Sequence, residues 1–121
     1  MKRTNLKNLE VSKIIEEQLN IKFENYEFRL NGWGDVDNYA KIGENSYVFL
    51  ECEFGQKHPN TNVLKLYPFL EENSDVNVTL IHFFFKENVT PPNRRKLCVY
   101  IADKMKKEFG NRFNYKMITQ N

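Results

Sequence analysis

No stretch of about 18 consecutive apolar residues occurs in the sequence, so no membrane span is expected. The first 13 residues, MKRTNLKNLEVSK, lack the apolar block of a signal peptide. The expectation is a chain kept in a reducing, cytoplasmic setting. The sequons at Asn77 and Asn88 then carry no meaning, because glycosylation requires secretion. Cysteine is scarce: Cys52 and Cys98 are the only two, far apart and outside any CxxC, and they read as buried thiols rather than zinc ligands. There is no phosphate-cradling glycine loop, no Ser-His-Asp pattern and no internal repeat. The two histidines are also placed apart. His58 stands beside a proline in a loop, and His82 lies in an apolar strand, where a hydrogen-bonded structural role is expected.

What is present suits one domain over residues 1–121, with 40% hydrophobic residues to form a core. The net charge of +2 is unevenly spread. Residues 91–121 carry eight basic side chains and two acidic ones, a local +6 that leaves −4 on the rest. An acidic site beside a basic element suits a metal-dependent enzyme acting on a polyanion. A Lys-rich terminal helix with a solvated face has the same composition.

Periodicity predicts a helix over 6–19, with Val11, Ile14, Ile15 and Leu19 on one face, capped by Thr4 or Asn5 and ended at Asn20. Strands follow at 26–30, 35–42 and 46–54, the last two joined by the hairpin signal Gly43-Glu44-Asn45. Trp33, between two glycines, reads as a core-edge or loop anchor, with stacking on a base as the alternative. A helix to Glu72 starts near Asn60 or Asn62, with a kink or break expected at Pro68. A strand buried on both faces spans 76–85. The last helix buries Leu97, Ile101, Met105 and Phe109, with Cys98 and Ala102 beside them, and stops at Gly110 before a strand over 112–118. The order α-β-β-β-α-β-α-β implies an α/β fold with a mixed sheet and helices on both faces.

Four acids, Asp35, Asp37, Glu51 and Glu53, flank this hairpin. A three-residue loop pairs Tyr39 with Phe49, Asp37 with Glu51 and Asp35 with Glu53, placing all four carboxylates on one face. A two-residue loop, Glu44-Asn45, faces Asp37 with Cys52 and splits the cluster. Directly opposed like charges destabilise a hairpin unless a cation lies between them. Oxygen ligands of this kind suit Mg²⁺ or Mn²⁺. The alternative is a solvated hairpin end. A calcium loop starting at Asp35 fails, because Ala40 stands where Gly is needed and Ser46 where Glu is needed.

The order of elements, an Asp entering the second strand and Glu51-Cys52-Glu53 late in the third resemble the PD-(D/E)xK nuclease superfamily, the restriction-endonuclease-like fold, over roughly residues 6–85. The resemblance implies a Mg²⁺- or Mn²⁺-dependent endonuclease acting on DNA. Asp37 or Asp35 matches the second-strand acid and Glu51 the third-strand acid. The motif lysine is missing: Glu53 occupies its position, and Lys65 on the following helix or Lys57 just after the strand could supply the charge. Gln56 resembles the polar residue many members carry after the motif, and Glu10 is the softer match for a first-helix acid. The implied roles are Asp37, Glu51 and Asp35 on the metal, Lys65 or Lys57 on the water or developing charge, and Glu53 as metal ligand or general base. Arg94, Arg95 and Lys96, with Lys57, would contact the DNA backbone. A homodimer is a further implication, since small nucleases of this kind often pair to cut two strands. The missing lysine motivates a second reading, a catalytically inactive member of the fold that binds nucleic acid or assembles with a protein. A third is an interaction module of unrelated fold with solvated acids.

Overall fold

The computed structural model describes residues 1–55, 57–85 and 90–120. It is α/β, built on a four-stranded mixed sheet. Helix α1 (Leu6–Leu19) starts at Asn5, whose side chain accepts the Asn8 N–H, and ends at Asn20 in the left-handed conformation, φ 54°. Strands β1 (Phe28–Arg29) and β2 (Asp35–Val36) form a small antiparallel pair of their own. The chain continues through β3 (Asn38–Gly43), β4 (Ser46–Glu53), α2 (Thr61–Leu64), α3 (Leu66–Glu72), β5 (Asn77–Phe84), α4 (Pro92–Phe109), a 3₁₀ turn (Gly110–Arg112) and β6 (Phe113–Thr119). The sheet order is β3-β4-β5-β6, with β3 antiparallel to β4 and the other pairs parallel.

The connections β4–β5 and β5–β6 step across the sheet in one direction. Crossovers of the same hand then put their helices on the same face. Val63, Leu66, Phe69 and Leu70 from α2 and α3, and Cys98, Ala102 and Met105 from α4, pack there on Phe49, Leu80, Phe84 and Phe113. The opposite face is covered by α1 through Val11 and Ile15, against Ala40, Val48, Leu50, Cys52, Ile81 and Phe83. Among the described residues no helix is long and apolar enough to cross a membrane.

Several expectations are corrected. The three-strand meander is not one ladder, because the chain leaves the sheet before Asn38 and β2 pairs with β1. The helix break falls at Lys65, not Pro68. Pro68 is the third residue of α3, in a first turn whose N–H groups have no intrahelical acceptor, so nothing is lost there. Leu97 is 36% exposed, and the inward face of α4 is centred on Cys98, Ala102 and Met105. Ile14 and Leu19 are also exposed, while α1 turns Asn8 and Ser12 inward with Val11 and Ile15. Ser12 Oγ accepts from Asn38 Nδ2 at 2.7 Å, which pairs a buried polar residue of α1 with one of β3.

Candidate active site

The hairpin register decides which acids meet. Gly43 pairs with Ser46, so the tip is the two-residue turn Glu44-Asn45. An irregularity between Lys41 and Gly43 makes Ile42 an extra residue and restores Tyr39↔Phe49 and Asn38↔Leu50 below it. The two-residue turn therefore coexists with the register expected of a three-residue loop.

The ladder ends at Asn38, and Asp37 sits in the bend between β2 and β3. Carboxylates there replace ladder bonds: Glu51 Oε1 accepts the Asp37 N–H at 2.8 Å, and Asp37 Oδ2 accepts the Cys52 N–H at 2.8 Å. These reciprocal bonds hold the two acids side by side. The second expected pair, Asp35 with Glu53, does not form. Asp35 follows β2 to lie opposite Arg29 and is exposed. Separating the second pair of like charges removes a repulsion that the ladder would have imposed.

Asp35, Asp37 and Glu51 line an open cleft of about 460 Å³ at the carboxyl end of β4, with Lys57, His58, Thr61, Asn62 and Lys65 on its other side. Crevices outside the carboxyl ends of parallel strands are where open α/β sheets receive ligands. Lys65, at the junction of α2 and α3, reaches across the cleft. Its Nζ donates to Glu51 Oε2 at 2.9 Å, Asn62 Oδ1 at 2.9 Å and the Asp35 carbonyl at 2.6 Å. Lys57 is exposed on the rim. Arg94, in the first turn of α4, brings Nη1 to 3.4 Å from His58 Nδ1, which ties the basic helix to the cleft wall. Arg95 and Lys96 lie on the same turn and do not line the cleft.

Glu51 is 2% exposed. Burial, then the neighbouring Asp37, pushes its carboxyl up to about 8, against the pull of Lys65. Burial also raises Asp37, opposed by the Cys52 N–H and Lys65. Lys65 therefore compensates this acid pair only partly, despite the short ion-pair distance. A cleft with two adjacent carboxyls held above their ordinary range is a place where a further cation would be favoured.

Glu53 is placed elsewhere. It is 0% exposed and does not line the cleft, so the expected role of metal ligand or general base there does not fit its position. Its Oε2 meets His82 Nε2 at 2.6 Å and accepts from Asn62 Nδ2 at 2.6 Å. His82 Nδ1 meets the Tyr115 hydroxyl at 2.7 Å. With the His82 proton on Nε2, the ring donates to Glu53 Oε2 and accepts the Tyr115 O–H on Nδ1. His82 has the hydrogen-bonded structural role expected of it, and both cysteines are buried and free. The expected cluster of four acids is thus reduced to Asp37 and Glu51, with Asp35 at the rim. Among the described residues no three or more His, Cys, Asp or Glu side chains are grouped to hold a metal.

Gln56 lies outside the described residues. Glu10 is exposed on α1 and is not part of the cleft lining. The sequence marks Asn62 only as a helix cap, yet it links Lys65 to Glu53. Its spacing of three residues from Lys65 on a helical segment is the available signal, since i and i+3 share a face. Trp33 is a loop anchor and not core: it is 42% exposed, with Nε1 donating to Glu72 Oε1 at 2.8 Å. No family model, curated protein or solved structure matches the chain.

Proposed function

We propose that the chain is a divalent-metal-dependent phosphodiesterase acting on DNA, of the PD-(D/E)xK type. The observation that carries this reading is Lys65 Nζ, 2.9 Å from Glu51 Oε2 in the cleft shared with Asp37. A lysine at the α2–α3 junction thus stands beside the acid pair where the strand motif has none.

The donor set suits Mg²⁺ or Mn²⁺. Mg²⁺ is commonly held by one or two carboxylates, with waters and substrate phosphate completing its shell. Asp37 and Glu51 supply two carboxylates in an open cleft, while Asp35 turns its backbone carbonyl to Lys65 and its carboxylate is not grouped with the pair. Such an ion, when bound, contributes Lewis acidity and a water of lowered pKa. Asp37 and Glu51 would hold it, their side chains fixed by the Cys52 and Asp37 N–H bonds. Lys65 balances charge on Glu51, and Asn62 holds the ammonium in place. Lys57 on the rim and Arg94 beside His58 would receive flanking phosphates, with Arg95 and Lys96 further along the same strand.

A second reading has its own support. All three donors of the Lys65 ammonium have protein acceptors, as a purely structural lysine would. The domain would then bind DNA without cutting it. Incubation with single- and double-stranded DNA and with RNA, in Mg²⁺ or Mn²⁺, alongside Glu51→Ala, separates the two. Metal-dependent cleavage of DNA that disappears in the variant supports the phosphodiesterase. Binding with no cleavage by either protein supports the second reading.

A further inference from the structure

A groove of about 290 Å³ adjoins the acidic cleft and shares Thr61 and Lys65 with it. Its remaining walls are Trp33, Leu64 and Pro68. Trp33 is 42% exposed and Leu64 49%. The indole is nevertheless held, because Nε1 donates to Glu72 Oε1 on α3 at 2.8 Å. The loop carrying it turns through φ 54° at Asn31, 104° at Gly32 and 95° at Gly34. A Cβ at either glycine would meet nothing within 4 Å, so these glycines serve backbone conformation and not close packing. The tight turn, closed by the Leu30 N–H on the Gly34 carbonyl at 2.9 Å, lifts Trp33 to the surface.

A large aromatic ring that is exposed and already fixed loses little conformational freedom when something stacks on it. What lies beside it narrows the choice of occupant. Lys65 belongs to both hollows and Lys57 lines the cleft, and with a divalent cation on Asp37 and Glu51 the neighbouring surface would favour an anionic backbone. A nucleic-acid strand supplies both a phosphate for the cleft and a flat base for the indole. Base–aromatic stacking tolerates any sequence, because every base has a π face. In a duplex those faces are covered by neighbouring bases, so the occupant has to be unpaired.

We propose that Trp33, with Leu64, forms a stacking platform for an unpaired nucleobase of a DNA strand whose phosphate lies in the cleft beside Lys65. The substrate class is then single-stranded or locally unpaired DNA. This rests on the phosphodiesterase reading in so far as it places the strand's backbone in the cleft.

The chain has one tryptophan, so its emission reports Trp33 directly. The full chain is titrated with Ca²⁺ in place of Mg²⁺ or Mn²⁺, so that a divalent cation still offsets the acid pair, with a thymidine oligonucleotide, a duplex of equal length and an oligonucleotide of abasic sites. Stacking predicts quenching by the thymidine strand and little quenching by the other two. Trp33→Ala is expected to weaken binding of the thymidine strand by roughly tenfold or more, and Trp33→Phe to restore most of it. Equal quenching by the abasic strand, or unchanged affinity in Trp33→Ala, overturns the platform. Cleavage assayed with Mg²⁺ in the same preparations separates the two proposals. Cleavage of DNA without base-dependent quenching sinks the platform alone, and base-dependent quenching without cleavage sinks the phosphodiesterase alone.

Discussion

Lys65 Nζ lies 2.9 Å from Glu51 Oε2, and their side chains are 16% and 3% exposed. Burial and Asp37 raise the proton affinity of Glu51, and Lys65 lowers it, with the balance at about 8. Lys65→Met removes the lowering influence and leaves Glu51 with the Asp37 N–H as its one donor among the described residues. Urea denaturation at pH 7 is expected to show a destabilisation of about 2 kcal/mol, and a larger one at pH 9, where an ionised Glu51 would be buried without its cation. Metal-dependent cleavage is expected to fall by roughly two orders of magnitude or more.

Stability should fall as pH rises between about 4.5 and 8. Below 4.5, the ordinary value, Glu51 is protonated in both folded and unfolded chains, and its full contribution to stability is present. Between 4.5 and about 8 the unfolded chain releases this proton while the folded chain retains it, so each step in pH favours unfolding. Asp37, also raised, acts in the same direction. The total is of the order of a few kcal/mol. Urea midpoints at pH 5, 6.5 and 8 measure it. Glu51→Gln should flatten the slope, and saturating Mg²⁺ should reduce it by favouring the ionised acids.

Much of this architecture is legible in residue patterns, and the exceptions have identifiable causes. Helix α1 matches its expected bounds because its cap at Asn5 and its stop at Asn20 are local signals, although only Val11 and Ile15 of its expected face are buried. The hairpin tip is ambiguous because Gly43-Glu44-Asn45 serves a two- or a three-residue loop, and the Ile42 bulge combines the two outcomes. The Asp37–Glu51 contact follows from that register. Departure of the chain at Asp37 does not, since nothing local distinguishes β2 from the start of β3. Glu53 is misplaced by sequence reasoning for a different reason. Parity puts it on the same face as Glu51, but His82, 29 residues away, draws it inward. A single buried partner distant in sequence leaves no periodic trace.

The inward chain through Asn62, Glu53, His82 and Tyr115 has measurable consequences for stability. His82→Phe leaves a wholly buried Glu53 without its imidazole, and Glu53 Oε1 already has no hydrogen-bond partner among the described residues. A destabilisation of about 3 kcal/mol or more is expected in denaturant melts. Tyr115→Phe removes only the outer hydroxyl and should cost about 1 kcal/mol. Equal costs for the two would mean that Glu53 is stabilised by something other than His82.

Reversal of Arg94 and Arg95 to Glu tests the basic first turn of α4. Binding to DNA should weaken for all sequences alike. The slope of log affinity against log salt should shrink by about two, roughly one for each phosphate that is no longer neutralised. Unchanged affinity and slope would remove this turn from the interface.

Mn²⁺ binding followed by electron paramagnetic resonance tests the central claim most directly, because it observes the ion and not the product. One Mn²⁺ is expected per chain at pH 8, with affinity falling toward pH 6 as Glu51 takes up its proton. Asp37→Asn and Glu51→Gln should each weaken that binding by roughly tenfold or more. Absence of bound Mn²⁺ in the wild-type chain, or equal binding in both variants and the wild type, would contradict the assignment of Asp37 and Glu51 as a shared metal site.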